Sequence, residues 1–400
     1  MGLVVLVRVQ VLVGFGVFGV FWGAWGALIP EIQRQAGVGN GELGVAVLMI
    51  GLGALGSMRP AGAAVDRFGR SAVAVILLLM AAAAVLPGLA HGARVLMAAL
   101  AVLGAASGAV DVGVNTLASE EESRSGRLMN AAHACFSACV VLGALGSGLA
   151  LERGLAADRV LLLTAVLLTG AAVVIGFPGP AGLPAVSRRD RQRAAVTDRP
   201  LLALGALCAL AYLVENAWQS WSAVMLRSVF HTGSGAAAAG PVVFAAAAAV
   251  GRLAGHGLTA RLPQRHLLAL GAAVAAVGTL GAALAPGARS MLAALVVAGL
   301  GTSVCAPTIL SLAGEQARPE VRSSAVAVVA SIGYGGCLLG PAAVGLTASS
   351  AGLRAALCGV AGTAAALALA SLLPGPGPRQ AQQDRQARQA REPRPLDAES

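Results

Sequence analysis

Lysine is absent from this chain, and all 28 basic residues are arginine. Charge is scarce as well, at 12 % of 400 residues, where soluble domains carry about 25 %. The shortage is uneven, because long stretches hold no ionisable side chain, and a bilayer crossing needs roughly 20 predominantly apolar residues. That excludes a soluble enzyme, a nucleic-acid-binding domain and a protein held by one anchor. The net charge of +10 does not restore a nucleic-acid reading. Most arginines sit in short segments between apolar runs, as topology signals do, rather than on one basic face. Cysteine is sparse too. Cys135, Cys139, Cys208, Cys305, Cys337 and Cys358 all lie in apolar runs, without CxxC or Cys/His metal spacing. They read as small buried hydrophobes, so no disulfide, metal or cofactor is expected. No nucleophile–His–acid order and no phosphate loop is present. Gly51-Leu-Gly53-Ala-Leu-Gly56 fits GxGxxG, but it lies inside an apolar span with no preceding strand. Close helix packing explains it better than a dinucleotide does. The chain is not expected to be an enzyme.

What is present is a series of twelve apolar runs, roughly 9–29, 42–62, 71–90, 94–117, 128–150, 159–177, 201–226, 235–257, 266–285, 289–313, 321–346 and 353–373. The first is preceded by Arg8 alone and followed by eleven equally apolar runs, so it reads as a membrane helix rather than a signal peptide. The fold class is therefore an all-α membrane protein. Its twelve transmembrane helices form two pseudo-symmetric six-helix bundles, at 1–177 and 201–373. Between them lies a polar, Arg-rich linker, 178–200. Residues 374–400 have the composition of a disordered tail. With the N-terminus inside, 21 of the 28 arginines fall on the cytoplasmic side, so both termini are expected in the cytoplasm of a bacterial inner-membrane protein.

Two patterns suggest a polar interior. All four tryptophans lie in the first and seventh spans, as Trp22/Trp25 and Trp218/Trp221, each pair spaced i, i+3. A parallel repeat would put them in corresponding places. They fit either an interfacial aromatic belt or the lining of a cavity. Asp111, His133, Glu215, Arg252 and His256 fall in spans four, five, seven and eight, while spans three, six, nine and twelve have clean interiors. A charge at mid-membrane costs at least about 2.5–3.5 kcal/mol and must face protein or water. Every third span being clean suggests four lipid-facing helices around eight that build the interior. At 1.5 Å per residue, Asp111 lies about 24 Å from the outer start of its span and His133 about 8 Å from the inner end of the next. With Asn115 one turn further in, these three share a level, as a gating network or as substrate contacts. Glu215 lies about 21 Å along span seven, one turn from Trp218. It is the candidate proton-coupling or substrate-anchoring carboxylate, and a structural pair with Arg252 is the competing reading.

The most specific motif follows the second span: Gly62-Ala-Ala-Val-Asp66-Arg67-Phe-Gly69-Arg70. Gly62 would allow close helix approach, Asp66 would accept from a helix N-terminus, and Arg70 would bridge to Glu120 or Glu122 and latch the cytoplasmic side. In the second half the corresponding segment is degenerate, with Ala260 in place of the acid and Pro263 in place of the second glycine. GxxxDRxGR in the first cytoplasmic hairpin of a twelve-span chain resembles the signature loop of the major facilitator superfamily. Further stretches resemble its bacterial fucose-permease-like inner-membrane branch: Trp25 to Pro30, Asp111-Val-Gly-Val-Asn115, Met129 to Ser137, Trp221-Ser-Ala-Val, Gly251-Arg252-Leu-Ala-Gly255 and Gly333-Tyr334-Gly-Gly. The chain departs from that branch at Leu28, Ser220 and His256, so no substrate is carried over.

Together these readings make the protein a secondary active transporter of a small organic solute, working by alternating access with protons as the coupling ion. Its partners are that solute, protons and the bilayer, with no nucleic acid, and it is expected to be a monomer. A drug or metabolite efflux pump is the alternative within transport. A transporter-derived solute sensor is the alternative outside it, though no signalling domain follows the last span.

Overall fold

The structure, a computed structural model, describes residues 2–125, 128–176, 199–258, 261–317 and 322–372. Apolar runs of this length become helices because the helix satisfies every backbone polar group within the segment, which lipid cannot do. The helices are α1 (Gly2–Ala36), α2 (Asn40–Phe68), α3 (Arg70–Val85), α4 (Ala93–Ser125), α5 (Met129–Glu152), α6 (Ala157–Gly176), α7 (Arg199–Ser228), α8 (Ser234–Ala237), α9 (Ala239–Leu258), α10 (Gln264–Leu284), α11 (Ala288–Thr302), α12 (Cys305–Gln316), α13 (Arg322–Ala351) and α14 (Leu353–Leu372). They make twelve stretches long and apolar enough to cross a membrane, with α8 and α9 forming one span and α11 and α12 another. Each of those two breaks has a local cause. Proline removes the hydrogen bond to the carbonyl four residues back and clashes with it. Pro307 sits four residues after Ser303, where α11 gives way to α12, and Pro241 four after Ala237, where α8 ends. The linker 178–200, apart from its last two residues, and the tail 374–400 lie outside the described residues.

Pseudo-symmetry is visible in which helices pack together. Span one packs on span five, two on four and three on six (α1–α5, α2–α4, α3–α6). The same pairings recur six spans later as α7–α13, α9–α11 and α10–α14. Close packing explains two of the three glycines in the GxGxxG stretch: a Cβ on Gly51 would fall on the Leu338 side chain of α13, and one on Gly53 would lie 2.1 Å from the Ala101 carbonyl oxygen of α4. In span five, Gly143 and Gly148 pack tightly in the same way, whereas Gly146 faces open space.

Between the halves, α2 packs on α13 and α5 on α8 and α9. These approaches run from the α1–α2 turn as far as Gly51, where a Cβ would fall on the Leu338 side chain of α13. A Cβ on Gly44 would sit 2.9 Å from the Gly345 Cα, and one on Gly148 2.9 Å from the Ala238 Cβ. Towards the α2–α3 hairpin the halves part. Gly56 has nothing within 4 Å of where its Cβ would be, and Ala131, His133, Ala134 and Ala138 of α5 are exposed. The molecule is closed at one end and open at the other. In the most apolar stretches of α3, α6, α10 and α14, 39–56 % of residues are buried, against 33 % in α2 and 22 % in α5. The least covered helices are those whose flanks border the gap between halves.

Candidate functional site

The interior polar groups gather into two clusters, one in each half. On α4, Asn115 lies one turn from Asp111, and its Nδ2 donates to the Asp111 carbonyl (2.8 Å) and to Oδ1 (3.1 Å). His133 of α5 lies within electrostatic reach of Asp111, and its ring meets Phe15 of α1 edge to face at 5.1 Å. The structure thus brings Asp111, Asn115 and His133 together. In the second half, Glu215 of α7 is buried, and its Oε1 accepts from Arg252 Nη2 of α9 at 2.7 Å. Gln219 Nε2 approaches the same oxygen at 3.4 Å. Side chains on a helix lean towards its N-terminus. In antiparallel α7 and α9 the acid and the arginine therefore lean towards each other. Beside them Asn216 Nδ2 donates to Cys337 Sγ of α13 at 3.1 Å, and Tyr334, one turn before Cys337, lies within electrostatic reach of Asp111 across the gap. Sequence reasoning named Tyr334 only within a resembling stretch and missed Asn216, since neither carries a charge.

The tryptophans do not form a belt. Trp25, Trp218 and Trp221 are all buried in protein. Trp218 Nε1 donates to Thr279 Oγ1 of α10 and Trp221 Nε1 to the Pro341 carbonyl of α13, each at 3.1 Å. A buried indole N–H needs such a partner. They lock α7 against its own half and touch neither lipid nor cavity in this conformation. Trp22 alone is half-buried, packed edge to face on Phe18 and Phe21.

The hairpin motif also has other contacts than expected. Gly69 has φ 56°, and this left-handed conformation makes the turn into α3. A Cβ on Gly62 would meet Val112 at 3.7 Å, an ordinary contact, so no close approach demands glycine there. Asp66 is exposed in the last turn of α2 and accepts from no helix N-terminus among the described residues. The Arg67 guanidinium stacks 5.1 Å over Phe68. Arg70 donates to Gln10 of α1, whose own Nε2 donates to the Val174 carbonyl of α6 at 2.8 Å. That chain clamps three helices of one half. Glu122 Oε2 accepts from the Leu128 and Met129 amides, capping the start of α5. Glu120, two residues earlier, is half-buried.

At the closed end lies a contact the sequence reading overlooked. α1 runs on through Pro30 to Ala36, and carries Glu31, which is 7 % exposed. Arg34 of the same helix pairs with its Oε2, and Arg227 Nε of α7 lies 3.6 Å from its Oε1. The Arg227–Glu31 pair crosses between the halves. Both arginines had been counted only as topology signals, and Glu31 fell beyond the assumed end of the span.

The comparisons agree with this architecture. The sequence matches the Major Facilitator Superfamily over residues 11–334 and 258–398. The chain belongs to the major facilitator superfamily. It is 31 % identical over 363 residues to an uncharacterized MFS-type transporter of Yersinia pestis, covering 87 % of this chain and 91 % of that one. It is 29 % identical to the membrane protein MosC of Rhizobium meliloti, over 90 % of this chain and 88 % of that one. Among solved structures it resembles the nucleoside transporter NupG, with TM-score 0.75 at 13 % identity, covering 92 % of this chain and 98 % of that one. It also resembles a D-xylose-proton symporter, with TM-score 0.73 at 12 % identity and 93 % and 98 % coverage. The superfamily consists of transporters, not enzymes, and this chain is a multi-pass membrane transporter of that type.

Proposed function

We propose that the protein carries a small organic solute across the bacterial inner membrane by alternating access, coupled to protons through Glu215. The single observation that carries the coupling is a buried carboxylate held by Arg252 on the side where the two halves part. Placing a charge inside a membrane is costly, and a carboxylate that alternates between a guanidinium partner and a proton couples that cost to conformation. Proton symport occurs in one structural neighbour, the D-xylose symporter, which supports the reading without naming a solute. The arginine count puts the α2–α3 hairpin, and so the open end, in the cytoplasm with both termini. Asp111, Asn115, His133 and Trp22 then line the first-half wall of the cavity. Trp25, Trp218 and Trp221 brace the helices behind it. The hairpin motif, Gly62 to Arg70 with Glu120 and Glu122, supplies the cytoplasmic gate that closes when the halves rock the other way.

Proteoliposomes loaded with a pH-sensitive dye and challenged with uridine, D-xylose and a panel of organic acids test this. At least one solute should move protons with it, and Glu215→Gln should abolish gradient-driven accumulation while leaving counterflow exchange partly intact. Accumulation that survives both a protonophore and Glu215→Gln rules out the coupling role. A solute that binds but never crosses would make the chain a sensor.

A further inference from the structure

The Glu215–Arg252 pair is lopsided. The Glu215 side chain is 10 % exposed and that of Arg252 is 42 % exposed. An arginine whose task ended at neutralising a buried acid would be buried with it, because a shielded pair in good geometry gains most from the contact. This guanidinium gives an Nη2 donor to Glu215, while its side chain as a whole remains 42 % exposed. The direction of that exposure follows from the helix. Arg252 lies eleven residues after Pro241, close to three whole turns, so the two share a face of α9. Pro241 is the residue that approaches α1 of the other half: a Cβ on Gly26 would sit 3.5 Å from the Pro241 Cβ. Arg252 therefore faces the other half too, at the level where the halves have parted. Its neighbour Leu253, 79 % exposed, turns to another side.

Among the described residues, Glu215 makes no ion pair besides the one with Arg252. Within electrostatic reach of Glu215 lie Cys208 and Tyr212 on its own helix, Cys305 of α12 and Cys337 of α13. Arg252 of α9 is the one cation the described residues bring to it. A planar, permanently charged fork facing a cavity is suited to a carboxylate, phosphate or sulfonate group.

We propose that the half-exposed Arg252 guanidinium is the anchoring site for an anionic group of the transported solute, and that the Glu215 carboxylate occupies it when no solute is bound. This rests on the reading of Glu215 as the proton site and adds the substrate class, an organic anion. A proton taken from water on the open side converts the Glu215 carboxylate to the neutral acid, and the guanidinium keeps its own charge. The freed fork then takes the solute anion. When the anion leaves, the proton returns to water and the pair re-forms. A monoanion entering with that one proton carries no net charge across the membrane.

The test is a thermal-unfolding titration of the full-length purified protein with methanesulfonate, anionic at every working pH, and with neutral methanesulfonamide as control. Ligand binding to the folded state raises the midpoint saturably. Glu215→Gln should bind methanesulfonate at least tenfold more tightly than the wild type at pH 8. Glu215→Gln/Arg252→Gln should lose the response, and methanesulfonamide should affect neither. Wild-type protein titrated at pH 5.5 and at pH 8 gives a second readout that needs no variant, with tighter binding expected at the lower pH. A Glu215→Gln midpoint that follows methanesulfonate no differently from the double variant's, or wild-type binding that is the same at both pH values, overturns the proposal. If that happens while Glu215→Gln still abolishes proton-driven accumulation, the anion site is wrong and the transport reading stands. If accumulation ignores Glu215, the coupling role of Glu215 fails on its own.

Discussion

Single side chains in this protein are placed as much by the need to satisfy buried polar atoms as by function. Trp218 and Trp221 show it most clearly. Their repeat with Trp22 and Trp25 was legible in the sequence, but their partners, Thr279 and the Pro341 carbonyl, lie 61 and 120 residues away. No local pattern announces such a contact, and spacing alone left belt and cavity equally open. Burial now gives an expected outcome. In variants retaining one tryptophan each, brominated lipids should quench Trp218 and Trp221 fluorescence weakly, and Trp22 is the one position a cavity quencher should reach. Strong lipid quenching at Trp218 would contradict its packing. Trp218→Phe should cost about 1 kcal/mol, the net worth of one hydrogen bond. The clustering of Asp111, Asn115 and His133 was legible, because i, i+4 spacing and depth both follow from helical rise. Glu31 was not, because Pro30 reads as the end of a span while the helix continues through it.

Elements were the most legible level. Twelve spans, their order and the break near Pro307 follow from run length and proline chemistry. What the sequence could not supply was the partner of each polar residue at a helix end. Arg70 illustrates this: an acid at the far end of the next helix, α4, seemed the natural partner, and nothing in the sequence hinted that the side chain reaches Gln10, and through it Val174. The hairpin clamp can be measured as a coupling. Arg70→Ala and Gln10→Leu should each destabilise the protein by about 1–2 kcal/mol, and the double variant by less than the two together, since they break one chain of hydrogen bonds. Strict additivity would mean that Arg70 acts elsewhere. Cysteine-accessibility labelling belongs beside that measurement, because a loosened α1–α3–α6 clamp should also change how often the cavity on the hairpin side is open.

For the whole molecule, the arrangement of charge at the closed end predicts how the two halves hold together. Arg227 of α7 lies 3.6 Å from Glu31 Oε1 of α1, an oxygen that has no hydrogen-bond partner among the described residues. Arg227→Ala should shift the conformational equilibrium towards opening of that end by about 1–3 kcal/mol. Thiol reagents added from that side should then label a cysteine placed at the buried Ala342, whose carbonyl lies beside Gly44, several times faster. Unchanged labelling would show that packing alone seals this end. Glu31→Gln should act in the same direction with a smaller effect, since the amide still accepts a hydrogen bond.

The glycine contacts across the two halves have a kinetic consequence. At Gly44 and Gly345, backbone meets backbone with no side chain interposed. Two surfaces that touch without interlocking can slide apart without any rotamer having to turn out of a neighbour's groove. Separation at that point meets little friction, which leaves side-chain contacts such as Leu338 against Gly51, together with the Arg227–Glu31 pair, to resist opening. In the proposed alternating-access cycle, opening of this end should therefore slow in low salt, where the Arg227–Glu31 attraction is screened less.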